Sequence, residues 1–348
     1  MRVVVAMSGG VDSSTVAGLL RAQGHEVIGV TLQLYDHGAA TGRKGACCAG
    51  SDIHDARRVA DRLGIPHYVV DAEQRFRDAV VGDFADAYAR GETPVPCIRC
   101  NMSVKFTDLL ALARDLGAER LATGHYVRRI EGVAGAELHR ATDLARDQSW
   151  FLFATTQAQL DASLFPLGDV PDKAAVRAMA VAMGLAVADK PDSQDICFVP
   201  SGSYADAVGR MRPDALEPGE IVDASGALVG RHQGIARYTV GQAKRLGPAA
   251  GGRVVTRIEP DTRLIVVGAR GSGGRRLRLR ETNWLAGGFS GRCAVKLRAG
   301  ETPRPATVVG GGEVVLDEPT LAAPGQACVA YEGSRVLGGG FIAGPATD

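Results

Sequence analysis

The chain opens on an unbroken apolar run, Val3-Val4-Val5-Ala6. Apolar β-branched residues without alternation predict a short strand of a parallel sheet covered on both faces. Residues 13–24 then place Val16, Leu19 and Leu20 at helical spacing and stop at Gly24, which predicts a helix with a glycine end. The alternation continues. A second strand is predicted over 25–34, a helix over 51–64 with Ser51 as its N-cap, a third strand over 66–71 and a helix over 75–91. A further helix (104–117) and a strand (120–127) follow. This order predicts a doubly wound parallel α/β sheet, with ligands at the C-terminal ends of the strands. From about Gln148 to Met211 the pattern is mostly helical, clearest over 172–187. Beyond Pro213, short β-rich runs separated by Gly, Pro and Asp predict an antiparallel β domain, a small barrel. The expected domains are therefore 1–147, 148–213 and 214–348. Within the last, Arg275–Glu281 alternates charge and leucine, as a strand with one solvated face does, and a phosphate-binding face is the competing reading.

Composition narrows the classes. An apolar share of 45% is ordinary for a globular protein, and no apolar run approaches the roughly 20 residues that span a bilayer. The first residues lack the series of a signal peptide, and seven cysteines, two of them adjacent, argue against a secreted disulfide framework. A reduced, cytoplasmic protein without membrane contact is expected. A net charge of +1 gives no general affinity for nucleic acid, so any RNA contact must come from a local surface.

Two places carry chemistry. The turn Met7–Thr15, MSGGVDSST, sits between the first strand and the first helix. It lacks the lysine of a Walker A loop and the GxGxxG of a dinucleotide fold. Gly9 and Gly10 allow close backbone approach, Ser8, Ser13 and Ser14 offer hydroxyls, and the helix start offers N–H groups. Asp12, read as an exposed loop carboxylate, can hold Mg²⁺ against phosphate oxygens. An ordinary serine-rich helix cap is the alternative. The second place is cysteine chemistry: Cys97 and Cys100 form a CxxC, and Cys197 follows a Pro-Asp-Ser turn. A lone CxxC supports several readings, a redox pair, two unrelated buried thiols or half a zinc site, the last disfavoured because a second close pair is needed. The adjacent Cys47 and Cys48 are ill-spaced for one tetrahedral metal, and Cys293 and Cys328 lie in apolar strand contexts as core thiols.

The stretch SGGVDSS resembles the PP-loop signature of the ATP-pyrophosphatase superfamily, whose members cleave ATP between the α- and β-phosphates. Together with TPVPCIRCN, Lys105-Phe106, LATGHY, RDQSWFL, LFPLG, DSQDICF, GRHQG, TVGQ, PGQ and LGGGFI, in that order, the chain resembles the tRNA-specific 2-thiouridylases of the MnmA type along almost its whole length. The resemblance implies a PP-loop nucleotide-binding domain, a small mostly helical central domain carrying the second cysteine, and a C-terminal antiparallel β-barrel domain. It implies ATP on Ala6, Met7, Ser8, Gly9, Gly10, Val11, Asp12 and Ser13, with Leu32 on the adenine side and Gly124 lining the site. It implies tRNA contacts at Val95, Pro96, Cys97, His125, Arg146, Asp147 and Gln148, and at Arg298, Ala299 and Gln326 in the β domain.

The implied reaction is 2-thiolation of the wobble uridine (position 34) of tRNAs for Lys, Glu and Gln. Adenylation makes the C2 oxygen a leaving group, with pyrophosphate held in the glycine-serine turn and Mg²⁺ neutralising charge. Cys197 carries a persulfide received from a cysteine desulfurase or sulfur-relay protein. Cys100 is its catalytic partner, and a Cys100–Cys197 disulfide remains for a reductant to reopen. The chain departs from relatives with Asn-Pro-Asp at Val95-Pro96-Cys97. Val95 lacks the side-chain hydrogen bond to a flipped base, and Cys97 makes a third thiol, so an iron–sulfur cluster on Cys97, Cys100 and Cys197 is an alternative sulfur carrier. A PP-loop amide ligase is the rival enzyme class, and a nucleotide-sensing regulator the rival outside enzymes.

Overall fold

The computed structural model describes residues 1–35, 48–192, 196–199, 203–285 and 287–345. Two compact units emerge, one of residues 1–79, 97–200 and 334–336, the other of residues 80–96, 201–333 and 337–348.

The first unit is built on a five-stranded parallel sheet in the order β3-β2-β1-β4-β7. Its strands are β1 (Arg2–Ala6), β2 (Glu26–Gln33), β3 (His67–Asp71), β4 (Arg120–Ala122) and β7 (Ser163–Leu164). The apolar run of β1 makes it the centre: Val3, Val4 and Val5 are fully buried, each contributing about 1.5–3 kcal/mol of transfer free energy. The chain leaves β1 toward β2 and β3 on one side and returns to β4 and β7 on the other. The strand order therefore switches at β1, which opens a crevice beyond the C-terminal ends of β1 and β4. Helix α1 (Val11–Ala22) starts there, and buried Val16, Ala17 and Leu20 seat it on the sheet. Residues 148–192 and 196–199 belong to this unit, with Val176 and Ala180 of the helix Lys173–Ala182 in the same core as α1.

Several boundaries differ from the sequence reading. Helix α1 starts at Val11 rather than Ser13, placing Asp12 in its first turn. The helix expected from Ser51 starts at Cys48. A π-helical stretch, Arg77–Gly82, interrupts the helix expected over 75–91. The strand expected over 120–127 ends at Ala122, and a hairpin of β5 (Val127–Gly132) and β6 (Gly135–Arg140) follows, which the pattern did not reveal.

In the second unit the β-rich stretch beyond residue 214, read as one domain, forms two sheets with separate cores. A four-stranded sheet, β10-β11-β8-β9, comprises β8 (Gly219–Asp223), β9 (Leu228–His232), β10 (Val254–Glu259) and β11 (Leu264–Gly268). The remaining strands are β12 (Gly274–Trp284), β13 (Gly291–Lys296), β14 (Arg304–Val309), β15 (Glu313–Thr320), β16 (Ala327–Glu332) and β17 (Arg335–Pro345). They follow the order β12-β15-β14-β13-β16-β17, and pairing of β12 with β17 closes the barrel. Strand β12 buries Leu277 and Leu279 and exposes Arg276 and Arg278, the alternation its sequence shows. Among the described residues no helix is long and apolar enough to cross a membrane.

Candidate active site

The glycine-serine turn folds as its composition requires. Gly9 takes φ +73°, and a side chain there would collide with the Asp52 carbonyl. The Ser13 hydroxyl accepts the Ser8 N–H at 3.0 Å and lies 3.2 Å from the Ser8 hydroxyl. Ser14 donates to the Gly10 carbonyl at 2.8 Å. Gly10, the N-cap, has no side-chain cap, so the first-turn N–H groups of α1 are left for an anion. Gly124 closes over them: a Cβ would stand 2.9 Å from the Ser13 nitrogen and 3.1 Å from the Asp12 carbonyl carbon. The segment after β4 must be glycine there.

Asp12 is not the free loop carboxylate expected. Lys173 Nζ donates to both of its oxygens at 2.8 Å, and the Tyr126 hydroxyl donates to Oδ1 at 2.6 Å. Lys173 also pairs with Asp192 at 2.7 Å, and Asp192 with Arg146 at 2.6 Å. Burial alone would raise the Asp192 pKa, but the hydrogen bonds from Lys173 and Arg146 bring it below the ordinary carboxylate value. Burial and the Asp12 hydrogen bond push Tyr126 well up, so it stays a donor. A second lysine, Lys190, donates to the Gly9 carbonyl at 3.0 Å, to Asp52 at 2.7 Å and to Asp55 at 2.5 Å, pinning the turn from outside.

Beyond the turn lies a cleft of about 230 Å³ lined by, among others, Ser8, Asp12, Ser13, Leu32, Lys105 and Gly124. Ala6, Met7, His125 and Gln148 also line it, as do Val30, Leu34 and Leu109. Apolar walls beside hydroxyls and helix N–H groups suit a base at one end and phosphates at the other. His125 stacks on Phe106, its Nδ1 is 2.9 Å from the Thr123 hydroxyl, and burial and then Lys105 push its pKa down to about 3, so the ring is neutral. Gln148 accepts the Tyr126 N–H at 2.9 Å.

The three thiols come from the helix Pro96–Cys100 and the segment after Asp192, in the same unit. Cys97 and Cys197 are exposed and Cys100 is buried, and all three are free. Among the described residues there is thus no Cys100–Cys197 disulfide. Desolvation raises all three thiols, Cys197 to about 12, with Cys100 and Cys97 adding to the rise and Lys105 opposing it.

The remaining expected contacts are scattered. Arg146 is exposed and ion-paired, while the Asp147 side chain is buried and accepts from Arg140, Ser149 and the Ala141 N–H, organising its own loop. Val95 and Pro96 are buried. Arg298 is exposed and Ala299 half-buried. The Gln326 side chain donates to the Thr93 carbonyl at 3.0 Å. Cys47 lies outside the described residues.

The donor sets bear on the implied groups. The turn, the free helix start and Gly124 fit the phosphates of ATP. Both Asp12 oxygens are engaged, so the carboxylate as it stands does not fit Mg²⁺. Among the described residues no three His, Cys, Asp or Glu side chains are arranged to hold a metal ion, so the thiols as placed do not form a cluster ligand set. Lys173 and Lys190 were given no role by the sequence reading, and Tyr126 and Asp192 entered it only inside LATGHY and DSQDICF, without a role.

Sheet, turn and cleft define a nucleotide-binding protein of the PP-loop class. Residues 1–201 match the family model described as tRNA methyl transferase HUP domain, 206–269 the tRNA methyl transferase PRC-barrel domain and 274–342 the aminomethyltransferase beta-barrel domain. The chain is 72% identical over 347 residues to the tRNA-specific 2-thiouridylase MnmA of Acidiphilium cryptum (strain JF-5), covering 98% of this chain and 100% of that one. The Gluconobacter oxydans (strain 621H) protein of the same name is 64% identical, covering 98% of this chain and 99% of its own. The chain belongs to the tRNA-specific 2-thiouridylase MnmA family.

Proposed function

We propose that this protein is a cytoplasmic tRNA-uridine 2-sulfurtransferase that thiolates C2 of the wobble uridine in tRNAs for Lys, Glu and Gln. The observation that carries the reading is a phosphate-accepting turn and cleft in the same unit as a trio of free thiols, in a chain matching 2-thiouridylases end to end. Two family models carry the words methyl transferase, but free thiols in the same unit as a phosphate cleft favour sulfur chemistry. We assign ATP use to residues 1–147, the second cysteine to 148–213 and further tRNA contact to 214–348.

The uracil O2 attacks the α-phosphorus of ATP and the bond to pyrophosphate breaks. The α1 N-terminus with Ser8 and Ser13 receives the pyrophosphate charge. Asp12 works through its partners: it holds Lys173 and Tyr126 and so fixes the first turn of α1. A terminal persulfide sulfur on Cys197, delivered by a cysteine desulfurase or relay protein, attacks C2 as its anion, and the C2–O bond breaks to release AMP. The Cys100 thiolate then attacks the Cys197 sulfur and expels the thiouridine. This leaves a Cys100–Cys197 disulfide that a cellular dithiol reduces by two electrons. His125, Arg146, Asp147, Gln148, Arg298, Ala299 and Gln326 are assigned to the tRNA side, His125 as a neutral ring.

Cysteine variants test the reading. With ATP, unmodified tRNA and a persulfide donor, Cys100→Ser and Cys197→Ser each abolish thiolation, and Cys97→Ser only slows it. Equal loss in all three variants, with activity restored by iron and sulfide, would overturn the persulfide route.

A further inference from the structure

Three lysines stand around the nucleotide cleft, and they differ in one respect. Lys173 is neutralised by Asp12 and Asp192, and Lys190 by Asp52 and Asp55. Lys105 has no ion pair or hydrogen bond among the described residues, yet it is half-buried and lines the cleft. An unpaired ammonium drawn partly out of water is an incomplete arrangement that an incoming anion completes.

Which anion it meets follows from position. The α1 end, with Ser8 and Ser13, takes one end of a triphosphate. Lys105 comes from a different element, the π-helical stretch Asn101–Lys105 that continues directly from the helix bearing Cys97 and Cys100. It lines the cleft, and its charge opposes the burial that raises Cys97, Cys100 and Cys197 and adds to the burial that lowers His125. Among the described residues, the carboxylate lining the cleft is that of Asp12, and it is already held by Lys173. Among the described residues that line the cleft, Lys105 is the cation, and it comes from the element continuing the cysteine-bearing helix, whereas Ser8 and Ser13 come from the α1 turn that takes the pyrophosphate end.

We propose that Lys105 is a catalytic residue of the sulfur-transfer step, binding the phosphate of the adenylated uridine and stabilising AMP as it leaves. The assignment rests on the thiolation reading above. Charge developing during adenylation falls on pyrophosphate, at the helix start, whereas charge developing during sulfur attack falls on AMP, beside Lys105. The two halves of the reaction should thus separate in a Lys105 variant.

The test is a single-turnover reaction of wild type, Lys105→Met and Lys105→Arg with tRNA, ATP and a persulfide donor. Pyrophosphate, AMP and thiolated tRNA are followed separately, and melting temperature and ATP affinity serve as folding controls. Lys105→Met is expected to release pyrophosphate within about threefold of the wild-type rate while thiolation and AMP release fall about a hundredfold, so that adenylated tRNA accumulates. Lys105→Arg is expected to restore most of the loss, which a purely structural role of the lysine stem would not explain. Thiolation by Lys105→Met near the wild-type rate, or parallel loss of pyrophosphate and thiolation in a folded variant, overturns the assignment alone. A wild-type protein that releases no pyrophosphate with tRNA overturns the thiolation reading and this assignment together.

Discussion

Replacing Lys173 by methionine is expected to destabilise the first unit by about 2 kcal/mol, a figure that follows from what the ammonium holds. It bridges Asp12 and Asp192 at 2.8 and 2.7 Å, and its residue is 9% exposed. Removing one member of a fully buried pair costs about 3–5 kcal/mol, because the partner is left charged and desolvated. Here both carboxylates keep some solvent, with 30% and 22% side-chain exposure, and each keeps another partner, Tyr126 for Asp12 and Arg146 for Asp192. Roughly half the buried value remains, about 2 kcal/mol, or about 4–8 °C in melting temperature for a unit of this size. Methionine keeps the length of the stem, so little packing is lost. The chain has two tryptophans, and Trp150, buried in the first unit, reports its unfolding by fluorescence in a Trp284→Phe background. In a cycle with Asp12→Asn, the two changes should couple by about 1 kcal/mol or more. A shift under about 1 °C, or additivity within about 0.3 kcal/mol, refutes the argument that Asp12 is held by Lys173.

Gly124→Ala should weaken ATP binding by about tenfold or more in isothermal calorimetry, because its Cβ meets backbone of the α1 first turn rather than a movable side chain. Since the Asp192 pKa is lowered on folding, its contribution is present above the unfolded value of 3.8 and lost as pH falls through the native one. The stability gap between wild type and Asp192→Asn should therefore close between neutral pH and acid in denaturant titrations. His125, pushed down to about 3, should show no titration of its ring nitrogens between pH 5 and 9 by NMR. Affinity for tRNA should fall steeply with salt, and charge reversal at Arg298 should weaken it without changing ATP affinity.

The apolar run of β1 and the glycine turn behind it made the parallel sheet and phosphate cleft readable, because a buried central strand and a φ-positive turn leave strong local marks. The leucine alternation of β12 was readable for the same reason. The hairpin β5–β6 was not: β5 exposes apolar Ile130 and half-buries charged Arg128 and Arg129, so its sequence carries no period that matches its burial. Nor was the division of the last stretch into two sheets, since strands of either look alike until their partners are known. Lys173 and Asp192 lie far from Asp12 in sequence, and only the fold makes them neighbours. Lys105 could be quoted as part of a motif, but that it lines the cleft without an ion pair among the described residues, unlike Lys173 and Lys190, is a fact of three dimensions. The thiols were readable as residues, and the burial that raises their pKa values was not.

The reaction products test the thiolation reading most directly. Wild-type protein is incubated with ATP, unmodified tRNA for Lys, Glu or Gln and a persulfide donor, and the tRNA is digested and analysed by mass spectrometry alongside the nucleotides. The prediction is 2-thiouridine at position 34, with AMP and pyrophosphate released in step with it. Unchanged uridine, or ADP and inorganic phosphate in place of AMP and pyrophosphate, would contradict it.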